Sequence, residues 1–259
     1  MLTVGGMKTL ATLVLAALAL AAIPTHADAQ TMIYVNGLGS THWLDGNSKG
    51  STPRNANLSW INTHVDVWAD QRYDHQQAVA SFKAVLDQHC MGTNWCYVMA
   101  YSNGGAVVTE AMSVYGSRWP RLSWAFTTAG NQGGSELADL SWMSELFGGC
   151  DMADEIAPSV HRRPGFNHNA MPAPVYNVGG DGWCWGCGAG ATHAILPGND
   201  DGVVAPHSTW SYSSRGSYDH GCQSTQWSNH YTAYRCDGVG EDHFKVKTQH
   251  IQCLESGGC

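Results

Sequence analysis

An apolar run, Trp95-Cys96-Tyr97-Val98-Met99, breaks at Ala100-Tyr101-Ser102-Asn103-Gly104-Gly105 and passes straight into a stretch of helical character that reaches Tyr115. A buried strand that turns abruptly into a helix leaves few options, because the helix must run back over one face of the sheet that holds the strand. Ala100 and Gly104, two residues before and two after Ser102, let the strand and helix backbones approach closely and push the serine side chain out of the sheet. A helix starting at Asn103 or Gly104 also aims its first N–H groups and the positive end of its dipole at that serine. An ordinary turn in which the serine caps the helix fits the same six residues. The remainder of the chain has to decide between the two.

Strand-like and helix-like segments alternate after residue 30. Met32-Ile33-Tyr34-Val35 and His64-Val65-Asp66-Val67-Trp68 read as strands, and residues 74–89 as a helix whose apolar face carries Val79, Phe82, Val85 and Leu86. Residues 122–128, 174–178 and 230–236 supply further strands. This alternation predicts an α/β protein with a mostly parallel central sheet and helices on both faces. No internal repeat, low-complexity tract or Pro/Ser-rich linker divides the chain, so residues 30–259 read as one domain, with residues 179–190 and 211–228 as surface excursions.

The first 29 residues read as an export signal: Lys8, an apolar run from Leu10 to Ile23, Pro24, and the small-residue site Ala27-Asp28-Ala29. The run is too short to span a bilayer, so no integral membrane segment is expected in the mature chain. Met7-Lys8 makes a more ordinary beginning for such a signal than Met1 does. A secreted or periplasmic location follows, and all nine cysteines lie after the signal, as expected of thiols used as staples in an oxidising compartment. Cys90 and Cys96 straddle the end of a helix and the start of a strand and are the best candidates for a local bridge. Cys184 and Cys187 form a CxxC that reads as a zinc half-site, a redox pair or a structural disulfide; without a second CxxC at zinc-ribbon spacing, the disulfide is preferred. Nine is odd, which leaves a thiol free or paired between molecules, with Cys259 a candidate. With 13 Lys and Arg against 21 Asp and Glu, the net charge of -8 argues against a nucleic acid or an anionic membrane as partner.

Four further segments stand in a telling order around Ser102. They are Asn36-Gly37-Leu38-Gly39, the stretch from Thr127 to Asp139, Asn199-Asp200-Asp201-Gly202-Val203-Val204, and Glu241-Asp242-His243-Phe244. With the serine turn, they resemble the α/β-hydrolase superfamily, and within it the secreted bacterial lipases and esterases. The resemblance covers most of residues 31–140 and shorter islands beyond. It implies an α/β-hydrolase fold with Ser102 as nucleophile, His243 as general base and Asp201 as the acid behind it, in the chain order serine, acid, histidine. It also implies an oxyanion hole made by the Leu38 and Asn103 amides.

The resembled enzymes carry an A-x-S-x-G or G-x-S-x-G elbow, so Ala100 fits, and two departures stand against the family pattern: Asn36 in place of the histidine of the His-Gly loop, and Asn131-Gln132 in place of Pro-His. Asp200 and Asp181 are rival acids, and His207, His220, His230 and His250 are less well placed histidines. Lys245 stands where some relatives hold calcium with an aspartate, so neither a metal nor another cofactor is expected, although zinc through Cys184, Cys187 and nearby histidines stays open.

Residues 135–174 form a short cap in which Trp142, Met143, Leu146 and Phe147 line either a lid, an acyl-binding wall or a core helix face. The resulting expectation is a secreted serine ester hydrolase of lipase or carboxylesterase type, acting through an acyl-enzyme on a small-molecule or lipid ester. A polyester depolymerase or acyltransferase with the same triad is one alternative. A non-enzymatic binding protein with a degraded site is another.

Overall fold

In a computed structural model, the described residues are 29–39, 60–140, 155–161, 172–198, 200–209 and 231–247. Residues 1–28 of the expected export signal, the expected cap residues Trp142, Met143, Leu146 and Phe147, residues 211–228, and His220, His230, His250 and Cys259 lie outside them.

Among the described residues, six strands form one sheet: β1 (Gln30–Val35), β2 (Thr63–Asp66), β3 (Trp95–Tyr101), β4 (Leu122–Thr128), β5 (Val175–Gly180) and β6 (Tyr231–Val239). Their order is β2-β1-β3-β4-β5-β6, and every neighbouring pair is parallel. β2 is shorter than the sequence pattern implies, and β6 runs three residues past the expected end at Cys236.

Side-chain alternation along the strands divides the core in two. Ile33, Val35, Val98, Ala100, Ala125 and Val175 pack under α1 (His75–His89) and α2 (Asn103–Tyr115). Met32, Tyr34, Met99, Tyr101, Phe126 and Val178 face the other way, where Val246 of the helical stretch 243–247 covers them. Helices therefore lie on both faces. Among the described residues there are also short turns of helix, α3 (Pro158–His161) and α4 (Pro206–Thr209), and 3-10 turns at Gly116–Arg118, Glu136–Asp139 and Gly188–Ala194.

Local chemistry explains where α1 begins and ends. The Asp74 carboxylate accepts from the Gln77 N–H at 2.9 Å and caps the first turn. The buried stripe is Ala78, Val79, Phe82 and Leu86, one residue per turn or slightly more, while Val85 sits at its edge. At the far end a Cys90–Cys96 disulfide ties the helix to β3.

The chain leaves β1 outward to β2 and returns to β3 on the opposite side of β1. The carboxyl ends of β1 and β3 thus flank a point where the winding direction reverses, which is where open α/β sheets leave a crevice for a ligand. Asn36 and Ser102 follow those two strand ends directly.

Candidate active site

Ser102 occupies the N-cap position of α2 with φ 52° and ψ -130°, a left-handed backbone rarely adopted by a residue with a Cβ. It does not cap the helix: its side chain makes no bond to the first turn. Its backbone is pinned instead, with its N–H donating to Thr128 O at 3.0 Å and its carbonyl accepting from Gly105 N at 2.9 Å and Asn131 N at 3.0 Å. Close packing forces the small residues around it. A Cβ on Gly104 would lie 2.5 Å from Asn36 O and 2.6 Å from Val35 O, so α2 rests directly on the backbone of β1. A Cβ on Gly37 would lie 2.6 Å from the Ser102 Cβ.

The freed hydroxyl meets an imidazole. His243 opens the helical stretch 243–247, is 3% exposed, and places Nε2 2.9 Å from Ser102 Oγ. Its Nδ1 lies 2.8 Å from Asp201 Oδ2, and its backbone N–H donates to Asp201 O at 2.9 Å. A carboxylate can only accept, which assigns the ring proton to Nδ1 and leaves Nε2 as the acceptor for the serine hydroxyl. Asp201 Oδ1 accepts the Val203 N–H at 2.9 Å and the Val204 N–H at 2.7 Å, so the carboxylate is clamped by its own turn. That turn needs glycine at position 202, where φ is +90° and a Cβ would meet Cys184 Cβ at 2.3 Å.

Of the rival acids, Asp200 points away from His243. Its Oδ1 accepts from His193 Nδ1 at 2.6 Å and from the Gly202 N–H at 2.8 Å. Burial raises its carboxyl to about 6, against the opposing pull of the Gly202 N–H and of His193. Asp181 follows β5, and the Nδ1 partner of His243 is Asp201 rather than it. His207 falls on α4, and the imidazole that meets Ser102 Oγ is that of His243. Cys184 and Cys187 are bonded to each other in a disulfide, which removes the free thiolates a zinc half-site requires.

Asn103 is the first residue of α2, so its N–H emerges from the helix's N-terminal end beside Ser102. Leu38 follows Gly37 in a turn held by the Gly39 N–H, which donates to Gln71 O at 3.0 Å. Gln71 itself is 1% exposed, donates from Nε2 to Asn36 O, and accepts from Asn103 Nδ2 at 3.2 Å. Asn131 Nδ2 donates to Asn103 Oδ1 at 3.2 Å, while Gln132 Nε2 donates to Thr127 Oγ1 at 2.7 Å and Asn177 Oδ1 at 2.6 Å. The Asn131-Gln132 departure from Pro-His therefore builds a buried amide network under the serine turn. Gln71 carried no signal in the sequence, since it sits in a loop with no recognisable motif. Lys247, buried and bonded to Asn36 Oδ1 at 2.9 Å, was legible only as a residue one helical turn beyond His243.

An aromatic surface adjoins His243. Trp185, Trp183 and Phe244 are exposed, the two indoles meeting edge to face at 6.0 Å and Phe244 lying edge-on to the His243 ring at 5.8 Å. Trp183 stacks on His193 at 4.5 Å, so its position is fixed by the Asp200 pair below.

No family model and no curated protein matches the sequence. Solved structures do match. The lipase BlEst2 of Bacillus licheniformis in its mature form is similar at a TM-score of 0.64, with 15% identity over 88% of this chain and 90% of that one. This is the α/β-hydrolase fold. The metagenomic carboxyl esterase MGS0156 is similar at a TM-score of 0.51 with 15% identity, over 69% of this chain and 59% of that one. Phospholipase PlaB from Legionella pneumophila is similar at 0.50 with 17% identity, over 70% of this chain and 45% of that one. In this fold Ser102 stands at the sharp turn from β3 into α2.

Proposed function

We propose that the protein is a serine hydrolase of carboxylic esters, with Ser102 as nucleophile, His243 as general base and Asp201 as its orienting acid. The observation that carries this reading is the unbroken contact from Ser102 Oγ through both nitrogens of His243 to Asp201. A serine hydroxyl is a weak nucleophile at neutral pH until a base takes its proton. His243 Nε2 receives that proton as Oγ attacks the ester carbonyl, and Asp201 holds the ring and stabilises the imidazolium. The Leu38 and Asn103 amides face the developing oxyanion. The alcohol leaves with the proton from His243, and water then attacks the acyl-enzyme by the same route in reverse.

The exposed indoles and Phe244 beside His243 support an ester with an extended apolar part, whether lipid or polyester. Export through residues 1–29, followed by a single catalytic domain over 30–259 outside the cytoplasm, accords with two disulfides.

A fluorophosphonate probe tests the assignment, because only a base-activated serine reacts with it. The protein is expected to be labelled and to hydrolyse p-nitrophenyl butyrate. Ser102→Ala is expected to lose labelling and at least about 10⁴-fold in turnover while unfolding at an unchanged temperature. A folded protein that is neither labelled nor active would instead be the binding protein with a degraded site.

A further inference from the structure

Lys247 is a buried cation that the triad does not use. It lies one helical turn after His243, at the i+4 position, so both side chains leave the same face of the helical stretch 243–247. Its Nζ donates to Asn36 Oδ1 at 2.9 Å across 211 residues of sequence. It also lies 5.0 Å from the centre of the Tyr101 ring, which is itself 5.1 Å from the His243 ring. Asn36 precedes Gly37, the residue pressed against Ser102, and Tyr101 precedes Ser102 itself. Burying an ammonium costs far more than burying an apolar side chain of the same length, so packing alone does not account for a lysine here.

We infer that Lys247 is a positioning residue that locks the Asn36-Gly37-Leu38 loop to the helix carrying His243. The inference rests on the hydrolase reading above. One short helical stretch then sets two positions together: the base against the serine hydroxyl, and the loop amide against the oxyanion. Gln71 braces the same loop from the other side, through the Asn36 carbonyl and the Asn103 side chain. The asparagine at position 36 follows from this arrangement, since its side-chain oxygen offers the ammonium an acceptor.

The test compares Lys247→Met, Lys247→Gln, Asn36→Ala and the Lys247→Met/Asn36→Ala pair with the unmodified protein. It reads kcat and KM on p-nitrophenyl butyrate, the inhibition constant of a trifluoromethyl ketone that mimics the tetrahedral intermediate, and thermal unfolding. Lys247→Met is expected to lower kcat by about 10- to 100-fold, the scale of a small misplacement of reacting groups. KM is expected to stay within about threefold, because ground-state binding does not use the oxyanion contacts. Affinity for the ketone is expected to fall in parallel with kcat, and Lys247→Gln, which keeps a donor, to recover part of both. Asn36→Ala is expected to reproduce the loss, and the double variant to be no worse than either single one. If Lys247→Met does not fold, Asn36→Ala carries the same expectations and Lys247→Gln a smaller loss of both kcat and ketone affinity. A folded variant with lowered thermal stability but full kcat and full ketone affinity overturns the inference, as do losses at 247 and 36 that multiply. Should the unmodified protein fail to react with a fluorophosphonate, the hydrolase reading falls first and this inference with it.

Discussion

Ser102 is held in a backbone conformation that costs of the order of 1–3 kcal/mol, and the contacts around it show what keeps it there. Three backbone hydrogen bonds tie it to β4, to α2 and to Asn131, so it cannot relax without breaking the strand-to-helix junction. Gly37 is pressed against it. An added Cβ there would sit 2.6 Å from the Ser102 Cβ and 3.1 Å from its Oγ, so either the loop or the serine has to shift. Gly37→Ala is therefore expected to lower kcat by about 100-fold. Overpacking of this kind costs about 1–3 kcal/mol, so the variant should still fold, at a lowered unfolding temperature. Steady-state kinetics and a thermal melt on the same sample check both parts, and a variant with unchanged kcat would show that the loop does not need to approach the serine so closely.

Among the elements, the junction of α1 with β3 is closed covalently. The Cys90–Cys96 bridge spans six residues, and the restriction it places on the unfolded chain corresponds to about 2 kcal/mol by loop-closure entropy. Beside it, Trp119 Nε1 donates to Asp87 Oδ1 at 2.9 Å, tying the segment before β4 to the last turn of α1. The Cys90→Ser/Cys96→Ser variant is expected to unfold about 2 kcal/mol more easily in urea with little change in turnover, because this junction lies at the strand ends opposite Ser102. A large loss of turnover would instead connect that end of the sheet to the site. The second bridge, Cys184–Cys187, has a different place in the structure: it packs on Gly202, in the turn that presents Asp201. The spacing of both pairs was legible in the sequence, but the surface on which the second one rests was not.

Stability of the whole molecule should carry the mark of one buried carboxyl. Asp200 is raised to about 6 by burial, above the ordinary aspartate value of 3.8 that it regains on unfolding. A carboxyl with a raised folded value favours the native state while it is protonated. Its contribution is therefore complete below about pH 4 and is lost as pH rises through about 6. Asn at this position keeps an acceptor for the Gly202 N–H and His193 but cannot ionise. Asp200→Asn is expected to flatten the decline of unfolding temperature between pH 4 and 7, which thermal melts across that range measure. An unchanged slope would show that Asp200 stays ionised in the folded protein.

Much of this protein follows from local pattern. Strand and helix periodicity is set by neighbours a few residues apart, so the alternation of elements, the parallel sheet and the sharp turn at Ser102 were readable in the chain itself. Ser102, the Asp200-Asp201-Gly202 turn and His243 were readable as candidates in that order, the first two because each stands beside a glycine that backbone geometry requires, Gly104 and Gly202. Only the folded arrangement decided between Asp201 and Asp200, adjacent residues whose side chains leave the same turn toward different histidines. It alone placed Gln71 and Lys247 around Asn36, since hydrogen bonds spanning 35 and 211 residues leave no trace in any local spacing. Side-chain direction and long-range contact are properties of packing, and packing exists only once the sheet has brought distant segments together.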